Sequence, residues 1–365
     1  MKIIPYSLLS ALILAIVSRL VIIFTAVLGS HFLPIINPNA WDTGLPVLNL
    51  FARWDAGHYF RIAEKGYDDV TAGFFPLYPL LIKLLSSPLI LYMPKLWAMN
   101  MAGFILSNFF FFTAVVGLYR LTYIVFRNNK IAFGSCLFFS FWPSSVFLSA
   151  VYAESLTLAL TLHAFVMLER ERYLVGSLLA FLAALSRPIG FVAFIPFLIK
   201  AIKRRSLVTF GSAVLPLSSI ILFDVYRYTV VSRFDLASIF QPLLTITNTR
   251  PFLIFTDVIT QTQFNPALKI LSLPLFSLMF LSFIYVMLTK EGITYSAYSA
   301  ALMTIYLFFA SIQGLPRYSL MVITIYWMLG HVWSRTQSIG IACLTGSATL
   351  MGLLTIVFAN WYELP

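Results

Sequence analysis

A chain of 365 residues in which 60% are apolar and only 10% charged falls well below the charged quarter of a soluble domain, and so reads as a polytopic membrane protein. The net charge of +11 does not imply nucleic-acid binding, because the basic residues form short clusters between apolar runs and not one continuous stripe. Cys136 and Cys343 both fall inside apolar stretches, which excludes a disulfide framework and a zinc site of ordinary spacing.

A membrane span needs about 20 mostly apolar residues. On that criterion helices are predicted over 6–28, 97–126, 131–149, 151–168, 207–229, 267–289, 294–313, 317–333 and 338–359. No small-residue cleavage pattern closes the first, which is read as an uncleaved helix. The stretch 173–199 is broken by Ser186-Arg187-Pro188-Ile189-Gly190 and reads as two short helices, because proline removes a hydrogen bond and the charge needs a wet or protein-lined place. The expectation is an all-α polytopic bundle of about 11 transmembrane helices, a single domain over 1–365, with a helical first outer loop at 30–96. Within that loop, 74–92 is apolar but carries prolines and Lys83, so it is expected to lie along the interface or dip into it.

With the N-terminus inside, the short inner loops carry Lys2, Arg127, Lys130, Arg170, Arg172, Lys200, Lys203, Arg204, Arg205, Lys290 and Arg335, as the positive-inside bias requires. Four polar clusters then open on the opposite side: Arg53–Tyr67, the turn ending at Glu154 and Ser155, the break at Arg187, and the turn holding Arg317 and Tyr318. A shared outer cavity gives them a reason to collect there.

The first cluster reads Arg53-Trp54-Asp55-Ala56-Gly57-His58-Tyr59. On a helical turn Asp55 and His58 share a face, and a carboxylate beside an imidazole and an indole suits proton abstraction from a hydroxyl, with Arg53 free to hold an anion. The alternative is an interfacial amphipathic helix whose charges meet lipid headgroups, which accounts for Arg61 and Lys65. Phe74-Phe75-Pro76-Leu77-Tyr78-Pro79 is a stiff aromatic segment fit to line a lipid groove or stack on a sugar, or else a plain interfacial turn. Glu154, Arg187 and Arg317 sit at membrane depth, where an ionisable group needs a partner or a purpose. A phosphate would partner the arginines, and so would Glu154 as an interhelical bridge. Arg19, inside the first helix, is expected to snorkel, and Asp42 is a second acid of the site or a turn residue. His31, His163 and His331 are isolated, no metal site of standard spacing occurs, and the lack of a Walker or dinucleotide loop argues against a nucleotide donor.

The run R-W-D-A-G-H-Y-x-x-I-A-x-x-G-Y with F-F-P-L-Y-P (Arg53–Tyr67, Phe74–Pro79) resembles the PIG-V family of membrane mannosyltransferases. The likeness continues through Pro143–Ser155, Leu168–Arg170, Leu185–Gly190 and Pro316–Tyr318. It implies a GT-C-like enzyme that takes mannose from dolichyl- or polyprenyl-phosphate-mannose and adds it, through an α-1,6 bond, to a lipid-linked glycan such as a glycosylphosphatidylinositol precursor. It implies Asp55 as the base, with inversion; His58 and Arg53 orienting it or holding the acceptor; and Arg187 and Arg317 steadying the departing phosphate. Trp54, Tyr59, Phe75, Pro76, Tyr78, Asp42, Glu154, Ser155 and Tyr318 complete the expected substrate site. No cofactor, metal or nucleic acid is implied; the partners are the lipid donor, the glycan acceptor, membrane lipid and, compatibly, an accessory membrane subunit. The Arg187-Pro188-Ile189-Gly190 form looks like that of prokaryotic relatives, implying a cell membrane in place of the endoplasmic reticulum and another lipid- or protein-linked glycan as acceptor. A transporter or flippase would need paired repeats and polar residues open to both sides, and a lipid phosphatase a nucleophilic histidine motif. An assembly subunit without activity would be free to lose Asp55.

Overall fold

A computed structural model describes residues 6–36, 44–231, 266–289, 292–309 and 314–362, and among these every regular element is helical. In chain order the main helices are α1 (Leu8–Phe32), α2 (Asp55–Lys65), α3 (Leu77–Ser86), α4 (Lys95–Phe126), α5 (Asn129–Ser140), α6 (Glu154–Glu169), α7 (Tyr173–Ser186), α8 (Phe194–Arg204), α9 (Leu207–Val231), α10 (Pro266–Leu288), α11 (Ile293–Phe309), α12 (Ile323–Arg335) and α13 (Gln337–Ala359).

Among the described residues four helices are long and apolar enough to cross a membrane: α1, α4, α9 and α13. The predicted helices stand where the apolar runs put them, but several are too short for a simple crossing. α5, α6, α11 and α12 hold 12, 16, 17 and 13 residues. At about 1.5 Å per residue these are shorter than a hydrocarbon core about 30 Å thick, so among the described residues four helices, and not eleven, have the length of a full span. The chain breaks instead into tight turns at Ser145–Leu148, Pro188–Ala193 and Ser319–Met321. Irregular backbone at such depth is tolerated only inside protein, and Ser144 through Tyr152 are all buried. The ten-residue α3 is likewise shorter than a crossing.

Local chemistry sets the helix ends. Ser7 caps α1 through Ser10 N–H, and Asn128 caps α5 through Lys130 and Ile131. α1 buries one stripe of small side chains, Ala11, Ala15, Ser18, Ala26 and Gly29, so α13 approaches closely, and a Cβ on Gly29 would run into Ile356. α5 is buried on all sides from Ile131 to Ser140 and is the centre of the bundle. α2 and α3 of the outer loop do not float: Ala52, Ala56, Tyr59, Phe60, Tyr78 and Ile82 form one apolar cluster with Met99, Val151 and Leu156.

Arg19 differs from expectation. It is buried and does not snorkel; its guanidinium donates to Ser140 O and Ser145 O and to the hydroxyls of Ser18, Ser145 and Ser149, over the Phe111 ring. α1 thereby adds donors to carbonyls at the point where α5 breaks. The first helix therefore pins the loop that leads to Glu154.

Candidate active site

Two carboxylates begin two helices: Asp55 is the first residue of α2 and Glu154 the first of α6, where unpaired N–H groups and the macrodipole favour negative charge. Both face arginines held in turns. Pro188 forces Arg187 into extended backbone at the end of α7, and Pro316 starts the four-residue helix carrying Arg317. Arg317 Nη1 lies 2.7 Å from Asp55 Oδ2, and its Nε 3.4 Å from Glu154 Oε1. Arg187 Nη1 pairs with the same Glu154 oxygen. Asp55, Arg317, Glu154 and Arg187 thus form one ionic chain across 262 residues of sequence separation. Glu154 is fully buried, whereas the Asp55 side chain is 26% exposed. Carboxylates and guanidiniums balance two against two.

The backbone around Asp55 is held tightly. Trp54 has φ 48°, a left-handed value that costs a bulky side chain on the order of 1–3 kcal/mol. Its ring packs on Trp361, with centroids 5.2 Å apart, and Asp55 N–H donates to Tyr152 OH at 3.3 Å. These contacts hold the carboxylate toward Arg317.

Other expected residues are placed differently. His58 does not pair with Asp55; its ring stacks on Phe74 at 4.6 Å. Arg53 is buried away from the ionic chain, donating from Nε to Ala359 O at 2.9 Å beside Trp361, and burial pushes its guanidinium down to about 10. It therefore ties the outer loop to the end of α13 and is not positioned to hold an acceptor. Tyr78 is fully buried, with its hydroxyl on Gly103 O and Ser107, so it cannot stack on a sugar. Phe75 packs on Phe223, Tyr59 edges Phe74 and Tyr78, and Ser155 donates to Leu148 O. These side chains build the site's support. Pro76 lines a separate apolar groove of about 470 Å³ with Ile62, Lys83 and Leu222. Asp42 lies outside the described residues, as do Lys2 and Lys290 of the predicted inner loops.

Beside the ionic chain is a cavity of about 270 Å³ lined by Glu154, Arg187, Pro188, Ile189, Phe191, Ile305, Tyr306, Arg317, Tyr318 and Met321. Tyr306 and Tyr318 stack there, with centroids 4.9 Å apart and rings 14° from parallel. Tyr306 went unnoticed in the sequence: it is one tyrosine among 18, in an apolar run, and no local pattern marks it, whereas Tyr152 lies within the Pro143–Ser155 motif.

The fold of this helical bundle has a counterpart among solved structures. The Archaeoglobus fulgidus oligosaccharyltransferase in its apo form superposes with a TM-score of 0.53 at 12% identity, over 97% of this chain and 56% of that one. The same archaeal enzyme in complex with an inhibitory peptide and a dolichol-phosphate gives 0.51 at 12% identity, over 97% and 56% of the two chains. At that identity the likeness is one of fold.

The family model Mannosyltransferase (PIG-V) matches residues 33–221, and the chain belongs to that family. Curated relatives include GPI alpha-1,6-mannosyltransferase 2 of Rattus norvegicus, 35% identical over 151 residues, and that of Homo sapiens, 34% identical over 152. Each match covers 40% of this chain and 31% of the relative, so the chain aligns with about a third of the length of the curated relatives it matches. Asp55, Glu154 and Arg187 lie within the matched region; Arg317 lies beyond it and is brought in by the fold.

Proposed function

We propose that this protein transfers mannose from a polyprenyl-phosphate-mannose to a lipid-linked glycan, on the non-cytosolic face of the membrane, with Asp55 as general base. The observation that carries the reading is the ionic chain from Asp55 through Arg317 and Glu154 to Arg187 beside a closed-in cavity. Arg317 takes one oxygen of Asp55 and leaves Oδ1 to accept a proton from the acceptor hydroxyl.

In the proposed step the acceptor oxygen bonds to the anomeric carbon from the side opposite the phosphate. The bond from that carbon to the phosphate oxygen breaks with its electron pair, the configuration inverts, and Asp55 keeps the proton. Charge developing on the departing phosphate falls to Arg187 and Arg317, whose side chains are 15% and 13% exposed and so reachable at the edge of the cavity. The lipid chain stays in the bilayer, which suits a site built from helix ends inside a membrane bundle. The relatives' names support mannose and an α-1,6 bond. The acceptor is a glycosylphosphatidylinositol precursor in a eukaryotic cell, or another lipid-linked glycan at a prokaryotic cell membrane.

The test is transfer by purified protein from synthetic polyprenyl-phosphate-mannose to a lipid-linked acceptor, followed by mass spectrometry for one added hexose. Asp55→Asn should reduce the rate at least about a hundredfold with unchanged folding. A variant that keeps its rate removes Asp55 from the base role, and lipid scrambling without transfer turns the reading to a transporter.

A further inference from the structure

Buried polar atoms almost always have partners, and one left without costs about 1–3 kcal/mol. Among the described residues, Glu154 Oε2 and Tyr306 OH are buried without a hydrogen bond, and Arg317 Nε has only its ion-pair approach of 3.4 Å to Glu154 Oε1. All three belong to side chains lining the same cavity of about 270 Å³. Here an acceptor and a hydroxyl without partners belong to the wall of one space. The rest of the wall is apolar, with Ile189, Phe191, Ile305 and Met321, and the Tyr306–Tyr318 stack gives it a flat aromatic portion. An apolar chamber with a few convergent polar groups is the usual form of a small-molecule site, and this one lies just under the common size range, with room for a single ring.

Its polarity selects among ligands. The arginines of the ionic chain are already balanced by two carboxylates, and the unpartnered Glu154 oxygen would repel a phosphate placed inside. That oxygen and the Tyr306 hydroxyl instead match neutral O–H groups, which can donate to the carboxylate and bond the phenol in either direction. A hydrocarbon chain would leave the Glu154 oxygen and the Tyr306 hydroxyl unsatisfied.

We propose that this cavity receives the hexose ring of the donor, with Glu154 Oε2 and Tyr306 OH bonding its hydroxyls and so setting sugar specificity. The assignment rests on the lipid-phosphate-sugar reading above and goes further, by putting the sugar inside and the phosphate at the rim. Arg317 is shared between the two parts of the site: one side lines the cavity, and Nη1 holds Asp55 at its edge.

Tyr306→Phe removes one oxygen and keeps the ring, so the fold is not at stake. In purified full-length protein it should weaken binding of polyprenyl-phosphate-mannose roughly tenfold and leave binding of sugar-free polyprenyl phosphate unchanged. It should also narrow the preference for mannose over glucose on the same lipid phosphate. Glu154→Gln, checked for folding by its melting curve, should shift the sugar preference in the same way. Equal losses for both lipids, or an unaltered mannose-to-glucose ratio in a Tyr306→Phe enzyme that still transfers, overturns the sugar pocket and leaves the transferase reading standing. Wild-type protein that binds no polyprenyl phosphate, with or without sugar, overturns both.

Discussion

Glu154 and Asp55 carry the same charge in the same ionic chain, yet their removal has different consequences because their burial differs. Glu154 is fully buried between two arginines. Glu154→Ala leaves those guanidiniums uncompensated, and the expected loss of stability is about 3–5 kcal/mol, seen as a lowered thermal midpoint. Asp55 is a quarter exposed, and in Asp55→Asn the fold is expected to hold while transfer fails. Equal melting losses in the two variants would contradict this division. Arg19 makes a third case at the same scale. Arg19→Met removes a donor from the Ser140 and Ser145 carbonyls and from three serine hydroxyls, which should destabilise the loop before Glu154 by about 1–3 kcal/mol. Arg19→Lys should recover only part of that, since an ammonium cannot reproduce the fork reaching both carbonyls and three serine hydroxyls; full recovery would mean the charge alone matters.

At the scale of the element, the turn after α7 depends on Gly190. A Cβ there would collide with the Ala183 carbonyl and the neighbouring peptide, which are backbone and cannot swing away. Gly190→Ala should therefore push the Pro188–Ala193 turn off α7 and displace Arg187, reducing stability and donor binding together; an unchanged melting point would show the turn can shift freely. The loop after α2 offers a pH test. Asp68 Oδ1 accepts from Val70 N–H, Thr71 N–H and the Thr71 hydroxyl, and its other oxygen pairs with Arg61. Desolvation works to raise this carboxyl, but the Thr71 bonds and Arg61 prevail and hold it below its ordinary value. A carboxylate lowered on folding stabilises above its unfolded value, near 4, and that contribution disappears as pH falls through the lower folded value. Local protease resistance of 66–73 should therefore be level above about pH 4 and drop below it, and Asp68→Asn should abolish the step.

At the scale of the whole molecule, Lys130 and Arg335 of the predicted inner loops come together at one end of the bundle. Tyr6, Asn128, Lys130 and Arg335 surround one cavity there, while Asp55, Glu154, Arg187 and Arg317 meet near the opposite ends of α6 and α7. In the proposed function the basic end is cytosolic, in line with the positive-inside bias. In a Cys343→Ser background, Asp69→Cys should react with a membrane-impermeant maleimide from outside intact cells, and Lys130→Cys only after permeabilisation. The reverse pattern would move the site to the cytosolic face.

The membrane class, the positions of the helices, the break at Arg187 and the motif around Asp55 were legible in the chain itself. Each depends on local composition: apolar runs of sufficient length, a proline that removes a donor, charges concentrated where lipid would expel them. Helix length within the bundle was not legible, because an apolar run reads alike whether it forms one span or a short helix followed by a buried turn. Nor were the partners of individual side chains. His58 is in register to meet Asp55 but stacks on Phe74, Arg53 and Tyr78 turn inward to structural duties, and Arg19 is satisfied by carbonyls more than 120 residues away. Which charges meet is decided by long-range packing: Arg317 reaches Asp55 only because α1, α5 and the turn at Ser145 hold the two ends of the chain in one place, and periodicity along the chain carries no information about that distance.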